Sequence, residues 1–152
     1  MGRVQPATGR RLLVWGGSAS FALAALHVLI IAIGAPAYAY FGRTDLAERA
    51  MAGSLFPPLV TLAITFLLSV WGVYAYSGAR LIRRVPLLRT GLVTISVIYL
   101  ARGLVLLADV ARWLSDESFP PRQTVFSAGA LAIGVCYAIG TLTLFRKAVE
   151  LM

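Results

Sequence analysis

The sequence predicts an all-α protein: a four-helix transmembrane bundle running up-down-up-down, with a short interfacial helix in the first outer loop. Three observations carry that prediction. The mean hydropathy is +0.82. Of 152 residues, 59% are hydrophobic and only 13% charged, whereas soluble domains carry about 25% charged residues. The apolar residues gather into four runs, each long enough for the helix of about 20 residues that crosses about 30 Å of hydrocarbon. The chain is short enough to form a single domain, residues 1–152.

The first run extends from about Leu12 to Tyr40, the second from about Ser54 to Tyr76, the third from about Val85 to Val110 and the fourth from about Thr124 to Phe145. Helices are required because lipid offers backbone groups no partner, and no run alternates as a barrel strand would. The first run begins behind Arg3, Arg10 and Arg11 and contains Ala35-Pro36-Ala37, so a cleaved leader has to be considered. A leader's apolar stretch spans about 7–15 residues. Here no charge occurs between Arg11 and Arg43, and a retained helix is expected.

Charge sets the orientation. Arg3, Arg10, Arg11, Arg80, Arg83, Arg84, Arg89, Arg146 and Lys147 fall on one side of an even-numbered bundle, nine basic residues in all. Arg43, Arg49, Arg112 and Arg122 fall on the other, balanced by Asp45, Glu48, Asp116 and Glu117. Basic residues in short loops stay cytoplasmic, so both termini are expected in the cytoplasm. The inner face should sit against anionic lipid headgroups. The same placement argues against nucleic acid as the reason for the +8 charge, since no basic stretch is interleaved with aromatics. The use of arginine over lysine and the high alanine content point to a bacterial plasma membrane.

In the first outer loop Thr44 and Asp45 are helix-start residues. Leu46, Ala47, Ala50 and Met51 recur on one face and Asp45, Glu48 and Arg49 on another, which predicts an amphipathic surface helix over 44–53. Pro57-Pro58 suits the first turn of the second span. Pro120-Pro121 marks a stop before the fourth.

Arg102 is the most informative position, because arginine at mid-helix costs at least about 2.5–3.5 kcal/mol and defaults to a functional reading. The alternative is a side chain snorkelling to the outer headgroups, about 24 Å from the inner boundary at the α-helical rise. Asp109 lies two turns further on the same face and Tyr99 one turn before. Arg102 and Asp109 are too far apart for a direct pair, and Asp109 also suits the interfacial end of the span. His27, the only histidine, sits about 22 Å deep by the same rise, which suggests a site shared with Arg102. Thr61 and Thr65 can bond to their own helix. Ala130, Gly134 and Ala138 form a small-residue stripe suited to helix packing or to a homo-oligomer face.

One histidine and one cysteine supply neither a metal cluster nor paired haem ligands, so no metal and no cofactor is expected. Phosphate-binding, metalloprotease and nucleophile-elbow motifs are absent. The expected function is binding or transport of an anionic or amphiphilic small molecule or lipid in an outer-facing pocket. That pocket would be lined by His27, Tyr99, Arg102, Asp109 and Glu48 and capped by the surface helix. The alternatives are an accessory protein acting through helix contacts and a membrane enzyme pairing His27 with a carboxylate. The expected topology is checked with single cysteines in a Cys136→Ser background. A membrane-impermeant maleimide should label Glu48→Cys on intact cells and Arg83→Cys only after permeabilisation; the reverse pattern would invert the orientation.

Overall fold

The computed structural model describes residues 7–115 and 121–149, and among these the regular secondary structure is helical throughout. The helices are α1 (Ala7–Ile33), α2 (Ala35–Tyr40), α3 (Thr44–Met51), α4 (Phe56–Gly78), α5 (Leu88–Ser115) and α6 (Pro121–Val149). Arg3, Asp116, Glu117 and Pro120 lie outside the described residues, as do the side chains of Arg146 and Lys147. α1, α4, α5 and α6 are each long and apolar enough to cross a membrane. Large apolar side chains cover their outer faces, with Phe66 at 71% and Leu107 at 72% exposure; an aqueous protein rarely shows so continuous an apolar coat.

The first apolar run is corrected from one helix to two. α1 ends at Ile33 because Gly34 turns to φ 79°, and Pro36 then occupies the opening turn of α2, where a missing N–H costs nothing. A side chain at Gly34 would meet no neighbour, so the dihedral, not crowding, requires glycine there. The ends of α2 and α3 repeat one device. Gly42 and Gly53 take positive φ, while Arg43 N–H reaches Tyr38 O at 2.9 Å and Ser54 N–H reaches Arg49 O at 3.0 Å. This is the helix-ending motif in which glycine usually occupies the left-handed position. α4 ends the same way, Leu81 N–H bonding Tyr76 O at 2.9 Å, but its left-handed residue is Arg80 at φ 58°. Such a position costs a non-glycine residue about 1–3 kcal/mol.

The chain forms two compact units, Ala19–Gly72 and the remainder on either side of it. Within Ala19–Gly72, Leu46 and Ala47 of α3 are buried with Ile30, Ala37 and Tyr38, and Leu26, Ala35, Phe41 and Ala50 pack around them. α3 thus docks its apolar face on α2 and the end of α1, and of the expected apolar stripe only Met51 is largely exposed, at 72%. Asp45, Glu48 and Arg49 face outward. Arg43 and Asp45 pair at 2.9 Å. The hydrogen bond from Arg43 holds the Asp45 carboxyl below its usual range. Its stabilising effect is therefore present above the ordinary carboxylate range and is lost as pH falls through the lowered value.

In the other unit the long helices alternate in direction. Leu100 faces Gly134 and Gly103 faces Leu131, while Arg89 lies over the Phe145 ring, so α5 and α6 are antiparallel. The first half of α1 runs antiparallel to α6, with Gly9 against Thr143, Leu13 against Gly140 and Gly16 against Tyr137. Leu13 and Leu92, both fully buried, meet over Gly78 and tie α1, α4 and α5 together.

The α5–α6 approach is close enough to test. A Cβ on Gly103 would fall 2.5 Å from Leu131 Cα, whereas one on Gly129 would meet nothing within 4 Å. Gly103→Ala should therefore destabilise by about 1–3 kcal/mol through overpacking. Gly129→Ala should be neutral or stabilising by up to about 1 kcal/mol. Thermal unfolding in detergent separates the two; equal melting temperatures would contradict this packing.

Candidate functional site

Two helices build the polar node of the molecule. α5 places Arg102 and Asp109 two turns apart on one face, because seven residues make nearly two full turns. α6 contributes Ser127. The packing of Leu100 on Gly134 and Gly103 on Leu131 puts Ser127, one turn before Leu131, at a level between Arg102 and Asp109. Arg102 Nη1 donates to Ser127 Oγ at 2.9 Å. Ser127 Oγ in turn donates to Asp109 Oδ2. Arg102 and Asp109 are therefore linked, though not directly: a hydroxyl from the neighbouring helix spans the gap between them.

The residue types suit this order. A guanidinium only donates and a carboxylate only accepts, while a hydroxyl does both. Serine is thus the small bridge that leaves neither charge unanswered. Helical side chains normally lean toward their helix N-terminus, yet Arg102 reaches the other way, toward the level of Asp109. Ser127 has 0% exposure and Asp109 5%, whereas Arg102 is exposed. The carboxylate and the bridging hydroxyl are thus buried, while the arginine that completes the node is exposed. Asp109 is accordingly a buried partner in this node.

The other expected site residues have their own contacts. Tyr99 is buried and stacks on the fully buried Tyr137, ring centroids 5.6 Å apart and planes 25° from parallel. His27 Nδ1 donates to Leu23 O on its own helix at 2.7 Å. Glu48 is exposed on the polar face of α3. His27 and Glu48 belong to the Ala19–Gly72 unit and Tyr99, Arg102 and Asp109 to the other. As expected, Thr61 and Thr65 bond back along α4, to Pro57 O at 2.8 Å and Thr61 O at 2.9 Å. Thr61 also receives the Tyr38 hydroxyl at 3.0 Å; its own proton is engaged by Pro57 O, so Tyr38 is the donor. Of the small-residue stripe of α6, Gly134 is covered by Leu100 within the chain, and Leu13 packs on Gly140 beside it.

Ser127 is an uncharged residue in an apolar run and does not stand out in the sequence. A signal existed, since it lies seven residues before Gly134 and so shares the face that packs on α5. Thr124, one turn from Ser127 on α6, holds a buried Oγ1 with no partner among the described residues. Among the described residues no group of three His, Cys, Asp or Glu side chains could hold a metal ion.

The four spans make the chain a polytopic membrane protein. No family model matches the chain, and neither a curated protein nor a solved structure is significantly similar to it.

The bridge predicts a specific energetic pattern. Ser127→Ala leaves a buried carboxylate without its donor and should cost about 1–3 kcal/mol. Combined with Asp109→Asn, the total should fall short of the sum of the single effects, as for residues in direct contact. Additive losses in thermal or denaturant unfolding would show that the two side chains do not interact.

Proposed function

We propose that this membrane protein binds or transports an amphiphilic anion, a lipid or lipid-like small molecule, with Arg102 as the charge partner of its acidic group. The observation that carries the proposal is the asymmetry of the node: Arg102 donates from Nη1 to the buried Ser127 and yet is itself an exposed residue within an apolar span. A planar fork of N–H donors fits carboxylate and phosphate oxygens two at a time. An approaching anion meets the arginine before the carboxylate, because Arg102 is exposed and Asp109 is buried.

Two further features support this reading. The unpartnered Thr124 hydroxyl lies one turn from Ser127, and buried polar atoms without partners are unusual enough to call for one. The bias of nine basic residues against four orients both termini toward the cytoplasm of a bacterial cell, which places Arg102 in the outer half of the plasma membrane. An acidic headgroup in the outer leaflet would then stand within reach of the side chain, and its acyl chains would lie along the apolar outer surface of α5. His27, Tyr99 and Glu48 remain the other candidate contacts.

The test is native mass spectrometry of the detergent-purified protein, wild type beside Arg102→Ala. A bound species of defined mass is expected on the wild type and should be lost in the variant, a drop in occupancy of about tenfold or more for a charge-assisted contact. Absence of any bound species, with the variant folding equally well, would sink the proposal. It would leave the accessory role through helix contacts as the better reading.

A further inference from the structure

The connection between α4 and α5 has more internal structure than a tether needs. Ser77 Oγ donates to Arg83 O at 3.1 Å and accepts from Val85 N–H at 3.0 Å, so one hydroxyl closes both sides of the turn. Tyr74 donates to Pro86 O at 3.2 Å. Two non-glycine residues, Arg80 at φ 58° and Leu87 at φ 52°, are held in the left-handed region. The equivalent positions after α2 and α3 are glycines, so the fold's own solution for this turn is a residue without a side chain. Arginine is kept here against that preference, and constraint of this kind concentrates at functional sites.

What the turn displays is chemically uniform. Arg80, Arg83, Arg84 and Arg89 are all exposed, and the chain carries no acidic residue between Glu48 and Asp109. Leu81, Ile82 and Leu87 stand exposed among them, Leu87 at 76%. Nine residues separate the ends of two membrane spans, which holds these side chains at the membrane surface. Arginines alone would fit a dissolved phosphate. Arginines interleaved with exposed leucine and isoleucine fit a phosphate that is attached to acyl chains.

We propose that this turn is a built seat for the headgroup of an anionic phospholipid in the adjacent leaflet. The guanidinium groups of Arg83 and Arg84 take the phosphate oxygens, Arg80 adds charge from its constrained position, and Leu81, Ile82 and Leu87 enter the interface around the acyl chains. Ser77 is a positioning residue, since it carries no charge and fixes the backbone that presents the two central arginines. The site is independent of the Arg102 reading, because it lies at the start of α5, about four helical turns before Arg102.

The experiment compares spin-labelled phosphatidylglycerol and phosphatidylcholine around the full-length protein in phosphatidylcholine nanodiscs, reading the motionally restricted fraction of each. Wild type should prefer phosphatidylglycerol. Arg83→Gln with Arg84→Gln should lower that preference by about fivefold for each arginine lost. Ser77→Ala retains every charge and should also lower it. Arg80→Gly should melt at a higher temperature, because it relieves a left-handed position, and yet bind phosphatidylglycerol less well. An unchanged preference in the double arginine variant would overturn the proposal. Preference that follows charge number alone, with Ser77→Ala equal to wild type while its helical circular dichroism is intact, would equally overturn a built seat.

Discussion

A bilayer core offers a polar atom no partner, and most of the polar side chains described in the spans are placed under that constraint, Thr124 and Thr141 being the buried hydroxyls left without a partner among the described residues. Thr61, Thr65 and Ser69 donate in succession to carbonyls one turn back on α4, and Ser96 does the same on α5. His27 follows the same rule with a ring nitrogen. Side chains that close on their own helix satisfy themselves without specifying a neighbour. Arg102 and Asp109 do not follow that pattern. Their link depends on a hydroxyl from α6, so the charges are satisfied only when α5 and α6 are in register.

That register is set by close packing, not by the polar bond itself. Interhelical hydrogen bonds in membranes contribute about 0.6 kcal/mol on average, too little to hold two helices at a chosen offset. The contacts at Gly103 with Leu131 and Gly134 with Leu100 bring backbones together where no larger residue fits. Ser127 reaches Asp109 as a consequence. The residues that look inert in the sequence thus position the ones that look chemical. The stacked pair Tyr99 and Tyr137, with Gly16 making room for Tyr137, extends the same packing toward α1.

The two ends of the spans solve different problems. On the side of α2 and α3 the chain uses two glycine-ended turns and an apolar face docked on protein, with the charges of Arg43 and Asp45 paired at the surface. On the side of the α4–α5 turn the arginines are displayed, and hydroxyls are spent on the backbone that carries them. A buried carboxylate bridged to an exposed arginine and an ordered array of exposed arginines are the two departures of this molecule from an inert bundle.

Four spans, the short helix near residue 44 and the self-bonded threonines of α4 were legible in the sequence. Each depends on composition or on spacing within one helix, and a hydrocarbon solvent makes both decisive. The break at Gly34 was legible in principle, since Gly34 and Pro36 stand there, but an unbroken apolar run conceals a change of backbone direction. The docking of Leu46 and Ala47 on α1 and α2, where an amphipathic face could equally have met lipid, needed the neighbours' positions. So did the bridge through Ser127: Arg102 and Asp109 were marked by their charge, but a serine in an apolar helix carries no signal until another helix lies beside it. Transfer from water to lipid is a property of each segment and is determined by the sequence alone. Which side chains meet depends on the offset between helices, and only the tertiary packing of small residues against large ones decides that.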